Sequence, residues 1–246
     1  MENKIGMEFI EQTKYQNLEE SAQKQGVPKP PLETSVENGS KFFDLPDGKA
    51  IGKLEIDLAE LVEKRETLRK YADTPLSLEE LSFLLWGTQG VKEQTENQLT
   101  KRTVPSAGSR HPFETYLLVN NVSGLEPGLY RYLALKHKLA RIADKENINE
   151  TLTFACLKQQ HVKTSAVTFA WAAVPERTAW RYSQRAYRYL YLDAGHVCQN
   201  LYLLAEAIGC GVCAIAAFDD DLVNQAVGLD GESQFVIYLA SLGKRN

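Results

Sequence analysis

Apolar residues first fall into a helical rhythm just after Ile56, where Leu58, Leu61 and Val62 recur at spacings of one helical face. That pattern predicts a short helix ending around Lys64. A second helix start follows at Ser77. Ser77 and Glu80 fit a capping box, in which each side chain satisfies an orphan backbone N–H of the other residue. Leu78, Leu81, Leu84 and Leu85 then form an apolar face, and Gly87 and Gly90 are expected to stop the helix.

Further along, Glu114–Asn120 and Leu129–Leu133 are rich in Tyr, Val and Leu and read as strands, with Lys138–Ile142 as a hairpin partner for the second. Ser165–Val174 is apolar almost without interruption, as a strand buried on both faces would be. Pro175 suits the first position of a helix, where its missing N–H costs nothing. A long helix is predicted from there to Gly209, with Tyr189, Leu192, Ala194, Val197, Leu201, Leu204 and Ile208 as its apolar stripe. Gly211–Phe218 reads as extended, Asp219–Val227 as a short helix and Gln234–Leu242 as a final strand. Helices and strands mix without a strict alternation, which predicts an α+β fold with a sheet flanked by helices.

The first fifty residues differ. Residues 1–24 are polar and allow one helix, while 25–50 hold Gly26, Pro28, Pro30, Pro31, Gly39, Pro46 and Gly48. So many breakers predict an irregular arm, of a kind that can wrap a neighbouring subunit. The division expected is an arm over 1–50 and a domain over 51–246.

Composition narrows the chemistry. The net charge of −4 over 246 residues argues against nucleic acid as the main partner. No apolar run of about 20 residues suggests a membrane span, and the Glu-rich start lacks a secretory core. Four cysteines are too few for a disulfide scaffold, so a cytoplasmic location is expected. Cys210-Gly-Val-Cys213 reads as small buried residues entering a strand, and no metal is expected.

Several segments could carry chemistry. In Arg65-Glu66-Thr67-Leu-Arg69-Lys-Tyr71, two guanidinium groups and a hydroxyl could converge on a phosphate monoester. Spacing alone also allows a solvated basic face. Pro105-Ser106-Ala107-Gly108-Ser109 places small residues where backbone could approach a flat ligand. It equally fits a rigid turn. Ile215-Ala216-Ala217 could present backbone N–H groups just before a helix, or simply pack as a strand. Trp180-Arg181-Tyr182 and Arg185-Ala-Tyr-Arg188-Tyr189 alternate charge and ring, which suits a cleft, an interface or an exposed face.

Taken in order, these segments resemble the nitroreductase superfamily, in its thiazoline/oxazoline-dehydrogenase (SagB/ThcOx) branch. The likeness covers roughly residues 55–245. It rests on Arg65–Tyr71, Leu84-Leu-Trp-Gly-Thr-Gln-Gly90, Pro105–Gly108 with Pro112, Arg185–Tyr189 with Asp193-Ala-Gly-His196, and Ala214–Asp219. The resemblance implies a nitroreductase-like α+β fold with a central, mostly antiparallel sheet. It implies noncovalent FMN and a homodimer with flavin at the subunit interface. Arg65, Glu66, Thr67 and Arg69 would lie at the phosphate and ribityl chain. Pro105, Ser106, Ala107, Gly108 and Ser109 would lie against the ring. The backbone at Ile215, Ala216 and Ala217 would reach flavin N5, and Lys244 and Arg245 would add charge. Azoline dehydrogenases resemble one another in a Lys-Tyr pair where this chain has Arg181-Tyr182. Arg keeps its proton at ordinary pH, so Tyr182 is the candidate for proton transfer and Arg181 for holding an anionic substrate.

The leading expectation is an FMN-dependent oxidoreductase working by hydride transfer through N5, in a ping-pong cycle, on a small molecule or peptide. NAD(P)H is a candidate donor. Azoline dehydrogenation in the maturation of modified peptides is the second reading. A flavin-binding scaffold or sensor without turnover is the third.

Overall fold

The computed structural model describes residues 4–36, 39–96, 99–142 and 147–246. Its strands are β1 (Phe42–Asp44), β2 (Val91–Gln94), β3 (Thr100–Arg102), β4 (Phe113–Val119), β5 (Gly128–Leu133), β6 (Lys138–Arg141), β7 (Val167–Ala173), β8 (Cys210–Ile215) and β9 (Phe235–Lys244). Seven of them form one sheet in the order β1-β6-β5-β4-β7-β9-β8. Every pairing in it is antiparallel. β2 and β3 make a separate small hairpin.

The helices are α1 (Lys4–Gln12), α2 (Leu58–Lys64), α3 (Leu78–Gln89), α4 (Ile148–Ala155), α5 (Gln160–Thr164), α6 (Pro175–Tyr182), α7 (Ala186–Ala207) and α8 (Asp220–Val227). They cover both sheet faces. On one, Leu81, Leu84 and Leu85 of α3 and Leu190, Val197 and Leu201 of α7 pack on Leu117, Phe169 and Trp171. On the other, Ile148 and Leu152 of α4 and Val223 of α8 meet Leu118, Ala170, Ala172 and Leu239. β7 therefore contributes to both cores, which is why its sequence does not alternate. The fold is α+β with a large antiparallel sheet flanked by helices, as the sequence predicts.

Local rules hold where they act over a few residues. The Ser77/Glu80 capping box is formed in both directions. Asp57 caps α2 and Asp219 caps α8 through their carboxylates.

Other expectations are corrected. The long helix from Pro175 is broken: α6 ends at Tyr182, and Ser183 takes φ 48° and ψ −142° before a 3₁₀ turn leads into α7. The stripe of α7 is also rotated. Ala186, Leu190, Asp193, Ala194, Val197, Cys198, Leu201 and Ala205 are buried, whereas Leu192 is 59% exposed. Ala194, Val197 and Leu201 of the predicted stripe do face the core, joined by Leu190, Cys198 and Ala205, and Leu192 falls on the opposite side of the helix. Gly87 does not end α3. It sits inside the helix, where a β-carbon would stand 2.0 Å from Leu204 Cδ1, so close packing of α3 on α7 is the reason for glycine there.

The arm is less irregular than predicted. Phe42–Asp44 pairs with β6 at the sheet edge, and Phe43 packs edge-on to Tyr130 at 5.6 Å. The arm is also tied to its own protomer. Trp180 Nε1 donates to Val27 O at 2.7 Å, Arg177 Nε to Pro31 O at 2.9 Å and Arg131 Nη2 to Thr34 O at 2.8 Å. α1 is held at its end by Arg188, which donates to Ile10 O at 2.5 Å and lies 6.0 Å from the Phe9 ring, but none of its residues is buried, and Ile5, Met7, Phe9 and Ile10 are exposed.

Candidate functional site

The Pro105–Ser109 loop is built on a buried acid. Asp193 of α7 accepts from Ser106 Oγ at 2.6 Å and from Ala107 N at 3.3 Å. Burial pushes its carboxyl up, against the pull of those two donors. Ser106 Oγ in turn accepts from His111 N at 2.9 Å. Gly108 has φ 59° and ψ 24°, left-handed backbone where glycine carries no penalty. Ser109 and His111 share positive φ. His111 Nε2 lies 3.1 Å from Thr100 O, so that nitrogen carries the ring proton. Burial, helped by Arg102, pushes this histidine down to about 3 and keeps it neutral.

Arg181 and Tyr182 reach the same loop. A β-carbon at Gly108 would be 2.6 Å from Tyr182 Oη and 3.2 Å from Arg181 Cδ. Successive helical side chains diverge by about 100°. The pair converges because it closes α6, where Tyr182 already has φ −121° and ψ 10°. The irregularity that lets it converge is at the end of the helix. Arg181 Cζ stands 5.6 Å from the Tyr182 ring, and Tyr182 packs edge-on to Tyr189 at 4.9 Å.

Residues 65–71 run along β8. Thr67 bridges Val212, and Leu68 N donates to Val212 O at 2.9 Å. Gly211 allows this approach, since a β-carbon there would meet Leu68 Cδ2 at 2.4 Å. Tyr202 of α7 gathers the segment. Its hydroxyl accepts from Ala214 N at 3.0 Å and meets Thr67 Oγ1 at 3.2 Å, while Arg65 Cζ rests 5.5 Å from its ring. The Arg69 charge reaches Cys213 and His161. Neither Arg65 nor Arg69 enters an ion pair among the described residues. Lys244 and Arg245 do: Lys244 with Glu80, and Arg245 with Glu66 at 2.8 Å and Glu206 at 2.6 Å. The C-terminal cations and Glu66 thus tie β9 to its neighbours, whereas Arg65 and Arg69 have no acidic partner among the described residues.

Ile215 is buried at the end of β8, and Ala216 and Ala217 emerge exposed beyond it. Ala216 lines an open cavity of about 490 Å³ with Tyr191, Gly195, Phe218, Phe235 and Tyr238. Along α7, Asp193 holds the Ser106–Ala107 backbone, Gly195 faces the Ala216 cavity, and Tyr202 holds Thr67 and Ala214. Asp193 and Tyr202 are about 13 Å apart along the axis at ~1.5 Å per residue. One helix therefore joins three of the segments singled out in the sequence, Arg65–Tyr71, Pro105–Ser109 and Ile215–Ala217. Sequence reasoning gave no role to Asp193 or Tyr202. A carboxylate inside an apolar helix stripe was the available signal for Asp193. Tyr202 had none.

The family model for the nitroreductase family matches residues 62–244. The chain belongs to the nitroreductase family. MJ1384 of Methanocaldococcus jannaschii, a protein carrying a nitroreductase name, is 35% identical over 191 residues, 78% of this chain and 92% of its own length. The trifolitoxin-processing protein TfxB of Rhizobium leguminosarum is 29% identical over 61% of this chain and 41% of its own. An Anabaena variabilis structure with a nitroreductase name superposes with a TM-score of 0.70 at 27% identity, over 87% of this chain and 45% of that one. The chain thus spans less than half the length of those last two relatives. A chain of the Escherichia coli microcin synthetase McbBCD complex, solved with truncated pro-microcin B17 bound, has a TM-score of 0.62 at 20% identity over 97% and 86%. This nitroreductase-family oxidoreductase shares its fold with that one chain of the complex, and its likeness to TfxB agrees with the SagB/ThcOx-type resemblance. Among the described residues no helix is long and apolar enough to cross a membrane.

Proposed function

We propose that this protein is an FMN-dependent oxidoreductase acting on a small molecule or peptide. The observation that carries the reading is the arrangement along α7. The guanidinium groups of Arg65 and Arg69 stand beside the Thr67 hydroxyl at one end, and the Gly108 loop with Arg181 and Tyr182 stands at the other. The exposed Ala216 and Ala217 amides donate to no turn or loop acceptor among the described residues. That donor set fits a flat ring carrying one phosphate monoester. Two arginines and a hydroxyl are suited to a phosphate, and free amides to a ring nitrogen.

In this reading Arg65, Thr67 and Arg69 hold the phosphate end. The backbone of Ser106–Gly108, fixed by Asp193, faces the ring, and the Ala216–Ala217 amides donate to its edge. Bound FMN supplies hydride transfer through N5, in a ping-pong cycle between two substrates. Tyr182 gives or takes the accompanying proton, and Arg181 orients an anionic substrate group. Four buried free thiols fit a reducing compartment such as the cytoplasm.

A homodimer with residues 1–50 contributing is part of the proposal. The exposed apolar face of α1 supports it, since such a face is unsatisfied on the protomer alone. Light scattering on the full chain and on a chain starting at Ile51 tests it, and an unchanged dimer from the shorter chain refutes the role of the arm.

A second reading, azoline oxidation in peptide maturation, is favoured by the likeness to TfxB and McbBCD. Turnover of a synthetic thiazoline peptide separates it from the first. The cofactor itself is tested by heat extraction of the purified yellow protein. Free FMN supports the proposal, and stoichiometric FAD or a colourless protein overturns it.

A further inference from the structure

Beside the candidate site, four polar side chains form one continuous chain. Tyr71 Oη meets Ser241 Oγ at 2.8 Å, and Ser241 Oγ meets His161 Nδ1 at 2.8 Å. His161 Nε2 meets Gln159 Oε1 at 3.2 Å. Gln159 Nε2 then donates to Ala217 O at 2.7 Å and to Cys156 O at 2.9 Å. Ser241 and His161 are buried. The chain starts on the last residue of the Arg65–Tyr71 segment and ends on the Ala216–Ala217 turn.

The hydrogen-bond directions follow from donor and acceptor inventory. The Gln159 amide nitrogen faces two carbonyls, so its oxygen must be the atom that faces His161. His161 Nε2 therefore carries the proton, and Nδ1 is bare and accepts from the Ser241 hydroxyl. Burial and the nearby Arg69 both disfavour a second proton on this ring. This tautomer satisfies Gln159, His161 and the Ser241 hydroxyl together, while the single Tyr71 proton is shared among Ser241 Oγ, Leu68 O at 2.8 Å and Ser241 O at 3.1 Å. Such a network is rigid, because turning any one group strands its neighbours without partners.

The turn at the far end is otherwise weakly held. Ala216 and Ala217 are exposed and have only methyl side chains to pack. Gln159 grips it at the Ala217 carbonyl, and Asp219 N donates to Ala155 O at 2.9 Å two residues later. We propose that Gln159 and His161 are positioning residues, which hold the Ala216–Ala217 amides in register with the Arg65–Tyr71 segment so that the two ends of one ligand site keep a fixed separation. The proposal rests on the FMN reading above for the identity of that ligand.

The test uses Gln159→Glu in the full-length protein. Glutamate keeps the size of glutamine and can still accept from His161, but it sets a carboxylate oxygen against two carbonyls. Exchange of the hydrogen-bonded amides within 214–219, those of Ala214 and Asp219 among them, should quicken by about tenfold, which is ~1.4 kcal/mol. Exchange over 167–173, in the central strand, should stay unchanged. Dissociation constants for FMN and riboflavin should rise by the same factor, about tenfold, because the phosphate contacts remain. Should Gln159→Glu fail to fold, His161→Gln is read by the same measurements. Wild-type exchange over 214–219, or an FMN dissociation constant within twofold of wild type, would overturn the positioning role. If the unmodified protein binds no flavin, the FMN reading fails by itself, and exchange alone decides whether Gln159 and His161 hold the turn.

Discussion

Gly108 and Tyr182 are packed so closely that a β-carbon on residue 108 would stand 2.6 Å from the Tyr182 hydroxyl. The loop that carries Gly108 and the helix end that carries Tyr182 are far apart in sequence, and each shapes the other. The backbone at 108 must be left-handed, and Tyr182 must point its hydroxyl at it.

Gly108→Ala should therefore act on both partners. Left-handed backbone costs an alanine about 1–2 kcal/mol, and the Tyr182 ring must also move. Urea unfolding should show a loss of at least that size, with lower flavin content in the purified protein. A wild-type unfolding midpoint would mean that Tyr182 is free to swing away.

Asp193→Asn keeps the shape of the side chain but removes the charge that Ser106 Oγ and Ala107 N donate to. Charge-assisted bonds of this kind contribute ~1.5–3 kcal/mol. Flavin affinity should fall, and unfolding should show a loss within that range. Crystals of the variant should show the 105–109 loop displaced. An unmoved loop with unchanged flavin affinity would remove Asp193 from the site.

Acid should destabilise the protein partly through His111. Its folded value, about 3, is below the ordinary value of ~6.5, so the unfolded chain takes up the proton first as pH falls. The stability contributed by the neutral ring is full above about pH 6.5. It is lost toward pH 3 by up to ~1.4 kcal/mol per pH unit. His111→Asn can still donate to Thr100 O, and its stability should vary less between pH 6.5 and 4. Identical pH profiles would place the acid sensitivity elsewhere.

Arg65→Ala and Arg69→Ala should each weaken FMN binding by ~1.5–3 kcal/mol and riboflavin binding much less, since riboflavin lacks the phosphate. Lys244→Ala should lower stability through loss of its Glu80 pair, with FMN and riboflavin affected alike. Equal FMN and riboflavin losses in the arginine variants would assign them to the fold.

Tyr182→Phe should retain flavin and stability while slowing the half-reaction with the organic substrate by about 10²–10⁴-fold. Reduction by dithionite should be unchanged, because it needs no positioned proton donor. Stopped-flow absorbance of the flavin band reads both rates, and an equal organic half-reaction in wild type and variant removes Tyr182 from the chemistry.

Elements fixed by a few neighbouring residues were legible in the chain. The Ser77/Glu80 cap, the apolar run of β7, the start of α6 at Pro175 and the α+β class follow from local hydrogen bonding and from hydrophobic periodicity, which the sequence itself carries. The family resemblance was legible for a related reason. It lies in short ordered motifs such as Arg65–Tyr71 and Pro105–Gly108, and the match over 62–244 agrees with it.

What depended on distant partners was not legible. Leu192 looks like a core residue and is exposed, because the sheet approaches α7 on the face of Leu190, Ala194 and Val197 instead. Phe42–Asp44 becomes a strand only because the edge of β6 is there to pair with it. Lys244 and Arg245 look like free cations, yet Glu80, Glu66 and Glu206 come from three other parts of the chain to neutralise them. Asp193, Tyr202, Gln159 and His161 acquire their roles in the same way. A hydrogen bond is set by where its partner arrives in space, and that position is decided by how helices pack on the sheet.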